Sequence, residues 1–235
     1  MRKIYILILI LGLGILLSIN FSDLFEDSNL ANNKYQLSQH YIENGVKDTG
    51  AINLVTAILF DYRGFDTLGE ATVIFIVVSA ISLLATKERV FVSDTNFSQI
   101  VYQNISFIIP FLYILAFYLI AYGHLSPGGG FAGGVVIATT FILLKITFGI
   151  RYVKEEEALG KKSLLENLGA ISFVLTGLLG ILLGYNFLAN GQTSLYLGIA
   201  GQLVSAGIIP ILNLATGIKV GSGLAIIFHR LVREE

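Results

Sequence analysis

Four ionisable groups stand inside or at the edge of apolar stretches: Asp66 and Glu70 in GFDTLGEATVIF, His124 in AYGHLSPGGGF, and Lys145 in FILLKITFGI. Asp66 and Glu70, four residues apart, share one helical face. In a poorly hydrated place, desolvation and mutual repulsion raise both pKa values toward the range where protons exchange at neutral pH. That is the chemistry of a proton or sodium relay. The same spacing also suits a helix start, with Asp66 as cap and Glu70 favoured by the positive end of the helix dipole. His124 titrates near neutrality or hydrogen-bonds a carbonyl. Lys145 either snorkels its ammonium to the headgroups or lies buried against a carboxylate of a neighbouring subunit.

These residues must be held by elements that the composition defines. The chain has 235 residues, 54% hydrophobic and 13% charged, with a mean hydropathy of +0.77, whereas soluble domains carry about 25% charged residues. An all-α, polytopic membrane protein is expected. A net charge of -1 offers no basic footprint for nucleic acid. With no cysteine, disulfides, thiolate metal sites and iron–sulfur clusters are excluded, and the histidines at 40, 124 and 229 are too dispersed to suggest a metal. No metal or other cofactor is expected.

An apolar helix needs about 20 residues to cross about 30 Å of hydrocarbon. Six segments meet that length or nearly so: Ile4 to Phe21, Thr67 to Thr86, Ile105 to Gly123, Gly128 to Ile150, Leu168 to Phe187 and Thr193 to Ile218. The first could instead be a signal peptide, but LLSINFSD lacks a pair of small residues suited to cleavage. With the amino terminus cytoplasmic, alternation places Arg2, Lys3, Lys87, Arg89, Arg151, Lys154, Lys161, Lys162, Lys219, Arg230 and Arg233 inside, against Lys34, Lys47 and Arg63 outside. The positive-inside rule then puts both termini in the cytoplasm. Residues 22–50 read as a polar outside loop. After it, Ile52, Val55, Leu59 and Tyr62 form an apolar stripe at helical spacing, expected as an interfacial helix leading into the second span.

The uncharged run of that span, Ala71 to Thr86, is too short to cross unaided, since its 16 residues reach about 24 Å. Glu70 is thereby drawn to membrane depth. In YGHLSPGGGFAGGVV, the glycines 128, 130 and 133 match G-x-G-x-x-G, but a dinucleotide site needs a preceding strand and a soluble helix, and both flanks are apolar. Pro127 instead ends one helix and suits the first turn of the next. Gly130 with Gly134 makes a G-x-x-x-G step, repeated as small-residue steps at Gly180/Gly184 and Gly201/Ser205. Such steps predict a surface that meets other transmembrane helices.

The stretch GHLSPGGGFAGG resembles the G-H-x-x-P-G-G-G-F-x-G-G element of the B subunit of Mrp-type multisubunit sodium/proton antiporters, over about residues 97–230. NLVTAILFDYRGFDTLGEATV is similar to the carboxyl end of the large Mrp A subunit, and to the small subunit that corresponds to it in archaeal membrane-bound hydrogenases, over about residues 46–86. Sulfur-reducing complexes carry related subunits. The resemblance implies two blocks, 1–92 and 93–235, adjacent in an assembled complex. It implies a cell-membrane subunit without a catalytic centre, taking part in sodium and proton transport beside other membrane subunits in the lipid bilayer. Ion-path candidates are Glu70, Asp66, His124 and Lys145; Asp61, Arg63, Pro127, Gly128, Gly129, Gly130, Gly133 and Gly134 are motif positions. The alternative is a purely structural scaffold subunit. Because the two blocks usually lie on separate chains, the resemblance leaves open an antiporter, a hydrogenase or a sulfur reductase as host.

Overall fold

A computed structural model describes residues 30–84, 90–91, 97–149, 155–193 and 195–233, together with 11, 12, 14, 15 and 18. The expected first span, Ile4 to Phe21, falls mostly outside that set. The chain divides into two compact units, Met1–Glu43 and Asn44–Glu235. Helix α1 (Leu30–Thr49) crosses their boundary. The polar segment expected as a loop is therefore helical over most of its length. Local hydrogen bonds such as Gln39 Nε2 to Glu43 Oε1, 2.8 Å and one turn apart, suit a polar surface helix better than apolar periodicity does.

In the second unit, α2 (Leu54–Ala57) opens on Asn53, whose side chain accepts from the Val55 N–H. It continues as a π-helical turn, Ile58–Tyr62. Among the described residues, five long apolar helices follow. They are α3 (Gly64–Leu84), α4 (Gln99–Ala121), α5 (Gly130–Phe148), α6 (Glu155–Leu182, apolar from Gly160) and α7 (Ile209–Leu231). Each is long enough to cross a bilayer. Over the described residues the fold is all-helical apart from a two-residue parallel pairing, β1 (Val90–Phe91) with β2 (Val232–Arg233), which joins the α3–α4 connection to the end of α7.

Two span boundaries differ from expectation, and both differences involve charge. The fifth expected span began at Leu168, beyond Glu166, whereas α6 carries Glu166 within its membrane-length stretch. The sixth was expected from Thr193. Residues 195–208 instead form an irregular apolar connection in which Gly198, Gly201, Ala206 and Gly207 have positive φ, a conformation that no helix accommodates. The last span is α7, and Lys219 lies at its middle, not in a cytoplasmic loop.

Helix α7 is the axis of the bundle: 61% of its apolar stretch is buried, against 17–33% for the other four. It touches α3, α4, α5 and α6. Lipid offers no hydrophobic force between helices, so the contacts depend on close approach and polar bonding. The glycine-rich element supplies the approach. A Cβ on Gly134 would sit 2.8 Å from the Gly217 carbonyl and 2.9 Å from Val220 Cβ, and one on Gly130 would overlap the Asn213 carbonyl. Gly133 turns the other way, onto Ile120 and the Ala116 carbonyl of α4. The G-x-x-x-G step thus faces α7 of the same chain. The other two steps are also internal or irregular: Gly180 meets Ala189, and Gly201 to Ser205 lies in the connection before α7.

Substitution reads this packing directly. Gly134→Leu and Gly130→Ala should lower the thermal stability of the detergent-purified chain, by about 1–3 kcal/mol or more. Gly160→Ala, with nothing within 4 Å of the added carbon, should leave it unchanged. A thermal unfolding series on the three variants checks the ranking.

Candidate functional site

The sequence-derived candidates fall in three places, and the structure adds a fourth group that joins α6 to α7. At the end of the bundle where α3 and α7 begin, the α4–α5 connection packs against α2 and the connection before α7. His124 is fully buried there, its Nε2 3.1 Å from the Leu203 carbonyl and its own carbonyl accepting from Asn53 N. Asn53 Nδ2 donates to the Gly123 and Ser126 carbonyls at 2.8 and 2.9 Å, and Thr56 Oγ1 to Gly123 at 2.7 Å. The first block thus clamps the turn that carries Pro127. Gly128 and Gly129, at φ 153° and 110°, complete the turn into α5, and Asn213 Oδ1 accepts from Gly130 N at 2.8 Å.

Beside this cluster, Asp61 borders a cleft of about 270 Å³ also lined by Tyr62, Phe65, Asn186, Phe187 and Gln192. Burial pushes its carboxyl up from the ordinary range, opposed by bonds from Asn190, Gly191 and Gln192 and aided by the charge of Asp48. Asp48 in turn accepts from Tyr62 Oη at 2.7 Å. Arg63 pairs with Asp66 in the first turn of α3, both side chains about half exposed. Glu70 lies six residues into α3, beyond the reach of the helix-end dipole, and is exposed on the chain's outer face. The structure brings Asp66 to Arg63 but not to His124 or Lys145.

Lys145 lies near the opposite end of α5, 4% exposed, and hydrogen-bonds His229 Nδ1 of α7. It is buried, not snorkelling, and its partner belongs to its own chain. Lys162, from the start of the apolar part of α6, shares the face of Phe141 with it. One turn further along α6, Glu166 accepts from Lys219 Nζ at 3.2 Å, with side chains 4% and 3% exposed. This ion pair sits at the middle of α7, over the ring of Phe75 from α3. Sequence reading assigned Lys219 to a loop and passed over Glu166. The available signal was Asn213, Thr216, Lys219 and Ser222 recurring every three residues in an apolar helix.

Residues 100–226 match the family described as a domain related to the MnhB subunit of Na+/H+ antiporter. The chain belongs to that family. Residues 4–96 match the family described as the E subunit of MBH. An uncharacterized protein of Methanocaldococcus jannaschii is 32% identical, covering 81% of this chain and 83% of that protein. A probable A/B subunit of a K(+)/H(+) antiporter from Rhizobium meliloti is 29% identical over 74% of this chain but only 20% of its own length. Among solved structures, a chain of the membrane-bound sulfane sulfur reductase, an archaeal respiratory membrane complex, superposes with a TM-score of 0.72 at 33% identity, covering 100% of this chain and 99% of its own. A chain of the Mrp complex from Dietzia sp. gives 0.64 at 24% identity, over 83% of this chain and 22% of its own. Both blocks on one polypeptide are therefore also the arrangement in the sulfane sulfur reductase chain.

Two outcomes follow. Lys219→Met leaves Glu166 charged and buried without its partner and should cost about 3–5 kcal/mol, whereas the double change Glu166→Gln/Lys219→Met should recover most of that loss; a double-mutant cycle by thermal unfolding measures both. Burial also holds the His124 pKa below its ordinary value of 6.5, opposed by the Leu203 and Gln202 carbonyls. The folded chain thus binds this proton more weakly than the unfolded chain. Stability from this site is complete above about pH 6.5 and falls as pH drops through that value. His124→Gln should flatten the slope of stability between about pH 7 and 5.5.

Proposed function

We propose that this chain is a cell-membrane subunit of a monovalent cation/proton antiporter-like module, that it holds neighbouring subunits in register, and that it contributes part of an ion path through Glu70 and Asp66. It carries no catalytic centre of its own. The observation that carries this reading is a membrane-depth carboxylate on the outward face of a helix whose block matches one respiratory-complex family while the remainder matches an antiporter-subunit family. The two matches fall on either side of the proposed block boundary near residue 92.

An exposed carboxylate six residues into a 21-residue span is costly against lipid. Facing a neighbouring subunit, it can be paired, protonated or bound to a cation. The names of the relatives divide between sodium and potassium, so the class of ion is set more firmly than its identity. Large exposed apolar side chains, Tyr196, Ile199, Leu203 and Val204 on the connection before α7, supply a surface for covering subunits or lipid. The basic residues of the α3–α4 and α5–α6 connections and of the carboxyl terminus favour the cytoplasm for that end. The Asp61 and His124 clusters then face outside.

In the assembled complex, Glu70→Gln keeps side-chain shape and hydrogen bonding but removes the titratable group. Assembly should be normal while sodium or potassium exchange for protons in vesicles falls at least about tenfold, a barrier change of about 1.4 kcal/mol. Asp66→Asn should show a smaller loss, because Asp66 already has Arg63 as partner. Unchanged exchange in the Glu70 variant would leave the chain as scaffold.

A further inference from the structure

We infer a second, internal path: a file of polar groups along α7 that conducts protons through this chain itself. Asn213, Thr216, Lys219, Ser222 and His229 are all buried, and from first to last they cover 16 residues, about 24 Å of helix rise. That is most of the hydrocarbon thickness. The file lies inside the bundle, whereas Glu70 lies on its outer face. It rests on the reading of the chain as a subunit of an ion-moving assembly.

Two atoms of the file lack a partner among the described residues. Asn213 Nδ2 and Thr216 Oγ1 are buried and make no hydrogen bond there. Buried polar groups are satisfied by protein or by water, so this part of α7 calls for internal water, one helical turn from the Glu166–Lys219 pair. On the other side of that pair, a cleft of about 280 Å³ opens between α5, α6 and α7, with Lys162, Ser222 and Tyr113 on otherwise apolar walls. It has room for several waters. Past it stand Lys145 and His229, with Arg230 next in sequence. At the start of α7, Asn213 joins the Asn53–Thr56–Gly123 hydrogen-bond cluster through Gly130.

The charges select the ion. Around the Glu166 carboxylate stand the amines of Lys145, Lys162 and Lys219 and the imidazole of His229. Among the described residues there is no group of three acidic, histidine or cysteine side chains that could hold a metal ion. A sodium or potassium ion would meet repulsion and few oxygens. A proton needs only successive lone pairs, and a Lys145–His229 nitrogen-to-nitrogen bond requires one of the two to be an unprotonated acceptor.

At the centre, the cycle balances. A proton arriving on the Glu166 carboxylate makes the neutral acid and leaves the Lys219 ammonium unpaired. The ammonium then loses one proton to the next acceptor along the file. Transfer of the carboxylic proton to the resulting amine restores carboxylate and ammonium, and one proton has passed.

The test uses the assembled complex in vesicles with a pH-sensitive dye inside, recording proton movement driven by a sodium or potassium gradient. Thr216→Val keeps the volume and removes only a hydroxyl that makes no hydrogen bond among the described residues, so stability should hold or rise while proton movement slows at least about tenfold. Glu166→Gln/Lys219→Met, which removes titration without leaving a lone buried charge, should lose proton movement by at least as much. Wild-type rates in both variants would overturn the internal file, with the Glu70 path untouched. No cation-driven proton movement in the wild-type complex would overturn the underlying reading of the chain as well.

Discussion

Keeping charge inside a membrane-spanning helix is the constraint on which the rest of this structure depends. Lys219 stands at the middle of α7 with 2% of its surface exposed, and an isolated ammonium there would be strongly disfavoured. Glu166 neutralises it, which requires α6 to lie alongside α7 in one register. Gly169 permits this: a Cβ there would lie 2.8 Å from the Ala215 carbonyl and 2.9 Å from Lys219 Cβ. Covering the pair then requires a third helix, α3, which brings Phe75 over the ammonium and Ile74 and Val78 against Gly223 of α7. The two blocks are thus tied together through the interior charge as well as through the Asn53 clamp.

The glycine-rich element is the counterpart of that constraint on the other side of α7. Gly130 and Gly134 admit α7, while Gly133 admits α4, so one short segment sets two helix contacts on different faces of α5. The turn ahead of it is locked by bonds from Asn53 and Thr56. Pro127 and the positive-φ Gly129 deliver the chain into α5 with Gly130 N already aimed at Asn213. A motif of this kind fixes where α7 can lie, and α7 fixes where the charges meet.

How much of this was readable without coordinates follows from the physics of each segment. Long uncharged runs announce themselves, and α3, α4 and α5 lie within a few residues of expectation. Runs containing charge do not, because hydropathy scores Glu166 and Lys219 as if each faced lipid alone; their cancellation is a tertiary fact. That misreading moved the start of α6 and displaced α7 toward an apolar connection which, with four positive-φ residues, cannot be helical. The G-x-x-x-G spacing at Gly130 and Gly134 correctly signalled close approach of a helix, but spacing cannot say whether that helix belongs to the same chain. Lys145 was legible as buried or snorkelling; His229, 84 residues away, was not legible as its partner. For Glu70 and Asp66, the sequence showed depth and shared face, and the structure adds the Arg63 contact that separates their environments.

A chain built this way closes its interior on itself and leaves its outer face, with Glu70 and many large apolar side chains, to its neighbours. Electron cryomicroscopy of the purified assembly, at a resolution that shows side chains, tests the account most directly. The account predicts Lys219 Nζ within hydrogen-bonding distance of Glu166, covered by α3 and α6 of the same polypeptide. A Lys219 side chain directed instead at lipid, or at a carboxylate of another subunit, would contradict it.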